Sequence, residues 1–411
     1  MPAETRKSAG ARWLCIVGIG EDGLAGLGDE AKRRIVEAEF VFGGTRHLVL
    51  VETIVTGENR PWPKPFDAEI RDVLALRGQK VCVLASGDPF FHGVGATLSR
   101  HVPPAEMLAL PAPSTFSLAA ARLGWPLQDV ETVSLHGRSI DLIRPLLHSK
   151  RRILALTSDA DGPAAVAGLL TQLGFGASRL TVLEALGGPD ERVRSAEARS
   201  FDVQNINPLN ILAVEVDSTH DARILPLMAG LSDDLFENDG QITKREIRAV
   251  TLSALGPRRG ELLWDIGAGS GSVSIEWMLA DPSMRAIAIE ADAKRAERIR
   301  RNARNFGVPG LTIVEGAAPE ALAGLPSPDA IFIGGGGTEP GVLDAAIAAL
   351  SSGGRLVANA VTLEMEALLL GQHAELGGDL IRIAISRETP VGSMKAWRPA
   401  MPVTQWSWVK P

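Results

Sequence analysis

Asp265, Gly267, Gly269 and Gly271 spell D-x-G-x-G-x-G within LLWDIGAGSGSVSIEW (residues 262–277), and Glu290 lies in the AIAIEAD that follows (286–292). Glycines at alternate positions carry no Cβ, so the main chain there can pass close to a ligand. An acidic side chain ending the next strand can accept hydrogen bonds from both hydroxyls of a ribose. A tight structural turn would use the same glycines, but the acid in register favours a bound nucleoside, with Ala268 and Ser270 completing the turn. The elements that must position these residues are an apolar strand running to Asp265, a helix beginning past Gly271, and a second apolar strand running to Glu290.

A second set of polar residues falls at strand-to-loop junctions in the first half. Ser86, Gly87, Asp88 and Phe91 belong to VCVLASGDPFFHG (81–93), a buried strand opening into a loop with exposed amides, an acid and a turn-fixing proline. Ser114 and Thr115 start the alanine-rich helix of LPAPSTFSLAAARLGWP (110–126), and His136 follows the strand of VSLHGR (133–138). The opening strand WLCIVGIG (13–20) runs into Gly18, Gly20 and Gly23, spelling G-x-G-x-x-G, with a helix over 29–38 capped by Asp29 beyond it. A dinucleotide reading fails at the next strand, EFVFGG, which ends in Gly43 and Gly44 where a ribose-binding acid should stand.

At 411 residues the chain is long enough for two or three domains with separate cores. A net charge of −7 argues against holding nucleic acid through the overall field, and no apolar run is long enough to span a bilayer. The polar N-terminus leads straight into a strand without the apolar core of a signal peptide, so a cytoplasmic address is expected. Cys15 and Cys82 each sit inside an expected strand, as buried thiols of a reducing compartment do. The seven histidines show no ligand spacing, and no metal is expected. Neither half carries a Ser/His/Asp set or a paired-carboxylate motif, and no catalytic residue is assigned.

The strand, glycine turn, helix, strand and acid of residues 262–292 resemble the S-adenosylmethionine site of class I methyltransferases. GQITKREIR (240–248) resembles the G-x-x-T-K-x-E-V-R that precedes this turn in decarboxylating precorrin-6 methylases, where the threonine reaches the donor. Thr243 is the matching residue, although the local pattern also reads as a helix cap with Glu246 completing a capping box. LTIVEGA (311–317) gives the next strand, and the resemblance lays the adenine near Ala317 and Ala318. DAIFIGGGG (329–337) lacks the D/N-P-P-Y/F of enzymes acting on exocyclic amines. Its glycines, Gly335 and Gly336 among them, leave an open loop suited to the flat face of a large ring. GGRLVANAVTLE (353–364) adds a strand with Asn359 and Thr362 at the same rim, and ISRETPVGSMKAW with PVTQWSWVK is expected to form a closing hairpin. The basic run DAKRAERIRRNARNF (292–306) reads as a solvated surface helix. This resemblance covers residues 233–411.

VGIGEDGLAGL (17–27), ASGDPFFHG (85–93), PAPSTFSLAAARLGWP (111–126) and VLEALGGPDERVRSAEARSF (182–201) resemble the tetrapyrrole (uroporphyrinogen/corrin) methylases, or class III methyltransferases, over residues 11–217. In that family the donor lies between two α/β subdomains, and the matching residues here are Ser86, Gly87, Asp88, Phe91, Ser114 and Thr115, with His136. Glu21 stands where the family usually has proline, and Gly43 where some relatives carry an acid. Residues 218–232, with Pro226 and Gly230, read as a linker.

The two resemblances imply an α/β chain in which an N-terminal class III tetrapyrrole methylase of two subdomains precedes a C-terminal Rossmann-like class I methyltransferase. They imply one S-adenosyl-L-methionine per domain and methylation of a corrin precursor at carbons 5 and 15. The acetate on carbon 12 would lose its carboxyl as carbon dioxide, in cobalamin biosynthesis. Carbon 15 and the decarboxylation are assigned to the C-terminal half, and Lys244, Arg245, Arg387 and Lys395 are candidates to pair with substrate carboxylates. The partner expected is this small molecule, with no nucleic acid or membrane, in a homo-oligomer. The alternative is an RNA methyltransferase with an N-terminal binding module.

Overall fold

Strand β1 (Leu14–Ile19) is buried at every position, the mark of a strand in a parallel sheet covered on both faces. In the computed structural model, which describes residues 12–67 and 69–411, it pairs in parallel with β4 (Val81–Ser86) and β5 (Met107–Leu110). With β2 (Phe40–Gly43) and β3 (Glu58–Pro61) they form a five-stranded sheet in the order β3-β2-β4-β1-β5. A second five-stranded sheet, in the order β6-β7-β10-β8-β9, comprises β6 (Val130–Ser134), β7 (Arg152–Leu156), β8 (Arg179–Glu184), β9 (Arg192–Glu197) and β10 (Asn210–Glu215). Only β6 and β7 pair in parallel there.

The chain divides into two compact units, one built from the chain up to Ile140 with His148–Arg223, the other from Asp141–Leu147 with Ile224–Pro411. The second unit contains β11 (Leu262–Ile266), β12 (Arg285–Glu290), β13 (Thr312–Glu315), β14 (Ala330–Ile333), β15 (Arg355–Ala360) and β16 (Asp379–Ile383). Beyond them come β17 (Ser386–Val391), β18 (Met394–Pro399) and β19 (Val403–Val409). The seven-stranded order β13-β12-β11-β14-β15-β19-β16 is parallel from β13 to β15, with β19 antiparallel to both neighbours. The chain runs outward from β11 in both directions, so a crevice opens at the carboxyl ends of β11 and β14, where open α/β sheets bind ligands. Alternation fills both faces. Leu263, Ala286, Ala288 and Phe332 enter one core, while Trp264, Ile266, Ile287, Ile289 and Ile333 enter the other.

Three local expectations are corrected. The closing hairpin is two separate devices: β17 and β18 pair only with each other, whereas β19 inserts between β15 and β16. Their burial explains the split, since every β18 residue is exposed and β19 from Val403 to Gln405 is buried on both faces. The helix Arg245–Leu255 starts one residue past the place Thr243 would need to cap it; Lys244 is the N-cap, without a side-chain bond, and Glu246 instead pairs with Arg387. The helix Asp29–Val36 is likewise capped by Gly28, with Asp29 inside its first turn. In the segment read as a linker, Leu225 and Leu231 are buried in the core of the second unit.

Candidate functional site

At the carboxyl ends of β11 to β15 lies a cavity of about 940 Å³, at the large end of small-molecule sites. Thr243, Lys244, Gly267, Ala268, Gly269, Glu290, Ala317, Ala318, Gly335, Gly336, Asn359 and Arg387 line it. Asp265, Ser270, Gly271, Arg245, Thr362 and Lys395 do not. Ser270 is buried, and a Cβ on Gly271 would stand 2.7 Å from Ile299 Cγ2, so these two serve the packing of the turn. Thr362 caps the helix Leu363–Leu376 by accepting from the Met365 amide at 3.3 Å. Arg245 is exposed at a helix start, and Lys395 pairs with Glu388 on the exposed β17–β18 hairpin.

Asp265 acts from beneath the turn. Its Oδ2 accepts from the Ser274 amide at 3.0 Å and the Ser274 hydroxyl at 2.5 Å, fixing the start of the helix Ser272–Leu279, while Oδ1 is buried without a partner. Burial pushes its carboxyl up from 3.8 to about 6; the Ser274 bonds pull the other way and the charge of Glu290 adds to the rise. Glu290 faces the cavity. One carboxylate oxygen accepts from the Gly269 amide at 2.8 Å and the other from the Asp292 amide at 3.0 Å, which locks the carboxylate while leaving each oxygen a further lone pair for a ligand hydroxyl.

The glycines on the two sides of the crevice answer one another. Gly267 has φ of +69°, and a Cβ there would stand 2.7 Å from the Gly335 Cα and closer still to its carbonyl. The loop after β14 is thus glycine-rich partly because two backbones touch, a reason the open-platform reading did not supply. At Gly336 nothing lies within 4 Å of the place a Cβ would occupy, so that position does remain open.

Sequence reasoning missed the group that suspends residues 230–243 over the cavity. Arg248 is fully buried, donates to Glu276 at 2.5 Å and Asp233 at 3.0 Å, and also donates to the Thr243 and Leu231 carbonyls. Glu276 in turn accepts from the Gly230 and Leu231 amides at 2.6 and 3.0 Å. Gly240, Gln241 and Ile242 on this strap line the cavity alongside Thr243. Arg295 lines it too, held by Asp239, and its neighbours on the basic helix Ala293–Asn305 are spent on ion pairs: Arg298 with Asp239, Arg300 with Glu315 and Arg301 with Glu237.

In the first unit the junctions after β1, β4 and β5 meet backbone to backbone. Gly87 has φ of +55°; its amide donates to the Ile19 carbonyl at 3.1 Å, and its carbonyl accepts from the Ala112 amide at 3.2 Å. A Cβ on Gly87 would stand 3.0 Å from the Ser114 Cα. Ser114 caps the helix Thr115–Leu123 through the Ser117 amide at 3.1 Å, Asp88 folds its loop by accepting from the Phe90 amide at 2.8 Å, and Phe91 packs edge-on against Phe116. His136 stands apart from this cluster on the second sheet, its Nδ1 3.3 Å from the Thr157 carbonyl. Ser86 instead meets residues the sequence did not single out. His47 Nε2 lies 2.9 Å from its hydroxyl, Arg46 donates to both, and Glu21 pairs with Arg46. Since a guanidinium only donates, Nε2 of His47 is an acceptor, and burial followed by the Arg46 charge pushes this imidazole down to about 4.

Residues 234–410 match the family described as a precorrin methyltransferase domain, and residues 14–202 match the tetrapyrrole (corrin/porphyrin) methylases. A precorrin-6Y C(5,15)-methyltransferase (decarboxylating) from a Sinorhizobium species is 64% identical over 398 residues, 97% of this chain and 96% of that protein. The chain belongs to the precorrin-6Y C(5,15)-methyltransferase (decarboxylating) family. A protein of the same name from Mycobacterium tuberculosis is 41% identical over 97% of this chain and 100% of its own. A cobalt-precorrin-6B C(15)-methyltransferase (decarboxylating) from Salmonella typhimurium is 35% identical over 179 residues, which is 92% of that protein and 42% of this one. Nothing among these relatives supports the RNA-methylating reading. The methyl donor of this family is S-adenosylmethionine. The lining of the second unit's cavity suits it: the Glu290 carboxylate has lone pairs that ribose hydroxyls could use, the Gly267–Gly269 backbone lines the cavity, and Ile289, Ala317 and Ala318 offer an apolar surface to a flat base. Among the described residues no helix is long and apolar enough to cross a membrane, and no cluster of His, Cys, Asp and Glu could hold a metal.

Proposed function

We propose that this chain makes both methyl transfers of its family, to carbons 5 and 15 of a precorrin-6 macrocycle, and removes the carboxyl of the carbon-12 acetate. We assign carbon 15 and the decarboxylation to residues 233–411 and carbon 5 to residues 11–217, each holding its own donor, with residues 218–232 between them. The observation that carries the assignment is the cavity at β11 to β15, where the ribose-binding acid Glu290 stands opposite an apolar, cation-rimmed wall of Val361, Ile383, Ile385, Met401, Lys244 and Arg387. The Salmonella relative, named for carbon 15 and decarboxylation, has roughly the length of one such half.

The donor brings an electrophilic methyl, so the chain needs no strong acid or metal; its task is geometry and exclusion of water. Glu290 and the Gly269 amide it holds orient the nucleoside, and the strap ending in Thr243 covers it. The apolar side chains disfavour a hydrated carboxylate at the point of its loss, whereas Lys244 and Arg387 stand where carboxylates that must remain can be paired.

The test is Glu290→Ala in the full chain. Losing two charge-assisted hydrogen bonds at about 1.5–3 kcal/mol each weakens donor binding in that half at least a hundredfold. The variant should then add one methyl and release no carbon dioxide. Carbon dioxide release at the wild-type rate would overturn the division.

A further inference from the structure

The β17–β18 hairpin projects from the seven-stranded sheet as a ribbon of its own, joined to it at Ile383, Ile385, Ala400 and Met401, all of which line the cavity. In its register Arg387 stands directly opposite Arg398. Side chains of directly opposed residues leave a sheet on the same face, so the two guanidiniums share a face, and Arg387 shows that this face is the one turned to the cavity. Like charges in such a pair destabilise a ribbon that has no core of its own. Arg387 is compensated by Glu246, whereas Arg398 has no hydrogen-bond or ion-pair partner among the described residues. Lys395, three registers along, is opposed to Pro390 on the opposite face and is neutralised there by Glu388. Among the charges lining the cavity, Glu290 ends β12 and Glu320 and Glu339 follow β13 and β14, where the cationic donor fits, and the cation on that side, Arg295, is held by Asp239. Lys244, unpaired among the described residues, precedes the helix whose Glu246 ties down the hairpin.

We propose that Arg398, with Arg387, forms a carboxylate clamp on the hairpin that grips an acidic side chain of the macrocycle and so sets the enzyme's preference for the free polyacid. The proposal rests on the functional reading above and adds to it the residue that selects the substrate. A planar guanidinium with no partner in the free protein offers two parallel donors to a carboxylate, and Arg398, unlike Arg387, finds its counter-ion only when substrate arrives. A side chain whose carboxyl has been converted to an amide or ester leaves the clamp unmatched and is disfavoured.

The experiment uses the full chain and compares wild type with Arg398→Ala, Arg398→Lys and Arg398→Glu. The readouts are KM and kcat for precorrin-6 methylation, KM for S-adenosylmethionine, and thermal midpoint. Loss of a bidentate charge-assisted pair should raise the precursor KM about tenfold or more in Arg398→Ala, with a smaller rise in Arg398→Lys, which keeps the charge but not the fork. Donor KM should stay within twofold. Arg398→Glu creates an attractive cross-strand pair with Arg387, so its midpoint should not fall while its precursor KM rises the most, a combination a merely structural arginine would not give. A precursor KM within twofold of wild type in Arg398→Ala, or a rise in precursor and donor KM together with a lower midpoint, overturns the clamp. Wild-type enzyme that fails to methylate precorrin-6 at all would instead overturn the functional reading, and the clamp with it.

Discussion

Replacing Arg248 by methionine probes how the cavity at β11 to β15 is roofed. The guanidinium is fully buried between Glu276 and Asp233, lies 4.8 Å from the Phe236 ring centroid, and donates to the carbonyls of Leu231 and Thr243. Methionine can fill much of that volume but leaves the Glu276 carboxylate buried with only the Gly230 and Leu231 amides for company. Removing one partner of a buried ion pair costs about 3–5 kcal/mol, because the charge left behind is uncompensated. That is a large share of the roughly 5–15 kcal/mol by which a domain is stable. The strap of residues 230–243 should loosen first, since its carbonyls lose their donor. Hydrogen exchange resolves this: amides of the strap should exchange orders of magnitude faster in Arg248→Met, those of β11 and β12 should show the global loss, and donor affinity should fall with the strap. Adding Glu276→Gln removes the stranded charge and should return about half of the loss. A cost of Arg248→Met below about 1 kcal/mol, or no relief from the second substitution, would refute the idea that this pair suspends the roof.

Gly267→Ala forces a side chain into φ of +69° and against the Gly335 backbone, at about 1–2 kcal/mol for the dihedral and another 1–3 for overpacking, so urea unfolding should show a loss of several kcal/mol together with weakened donor binding. Asp265 has its folded-state pKa raised from 3.8 to about 6, so the stability it allows is full below 3.8 and is lost as pH rises through 6; Asp265→Asn should gain on wild type by about 2 kcal/mol between pH 4 and pH 7 in chemical denaturation. His47 runs the other way. Its folded-state pKa is pushed down to about 4, so its contribution is present above 6.5 and lost as pH falls towards 4, and His47→Gln should flatten the acid limb of unfolding in the first unit.

What could be read from the sequence was what is local in it. The glycine turn and Glu290 lie in one strand–helix–strand unit whose apolar runs announce their own ends, and both stand at the cavity as the spacing implied. The G-D-P loop and the Ser114 cap were visible for the same reason. Asp265 shows the limit of a motif, since the pattern places it in the turn but cannot tell that its side chain turns down to Ser274 rather than out to a ligand. The other reading of Thr243, as a helix cap, fails because Lys244 takes that place, and its expected partner, Glu246, pairs with Arg387 from a hairpin far along the chain. Arg248 with Glu276, and Ser86 with His47, are contacts between elements whose facing sides only the fold decides. The split of β17–β18 from β19 turned on burial rather than pattern, as exposed and buried strands here share similar residues.

The most direct test of the account is the mass of the product formed from precorrin-6Y by the full chain with methyl-deuterated S-adenosylmethionine. Two labelled methyls gained and one carbon dioxide lost per macrocycle are predicted. A product carrying a single labelled methyl, or one that keeps the carbon-12 carboxyl after both methyls have been added, would contradict it.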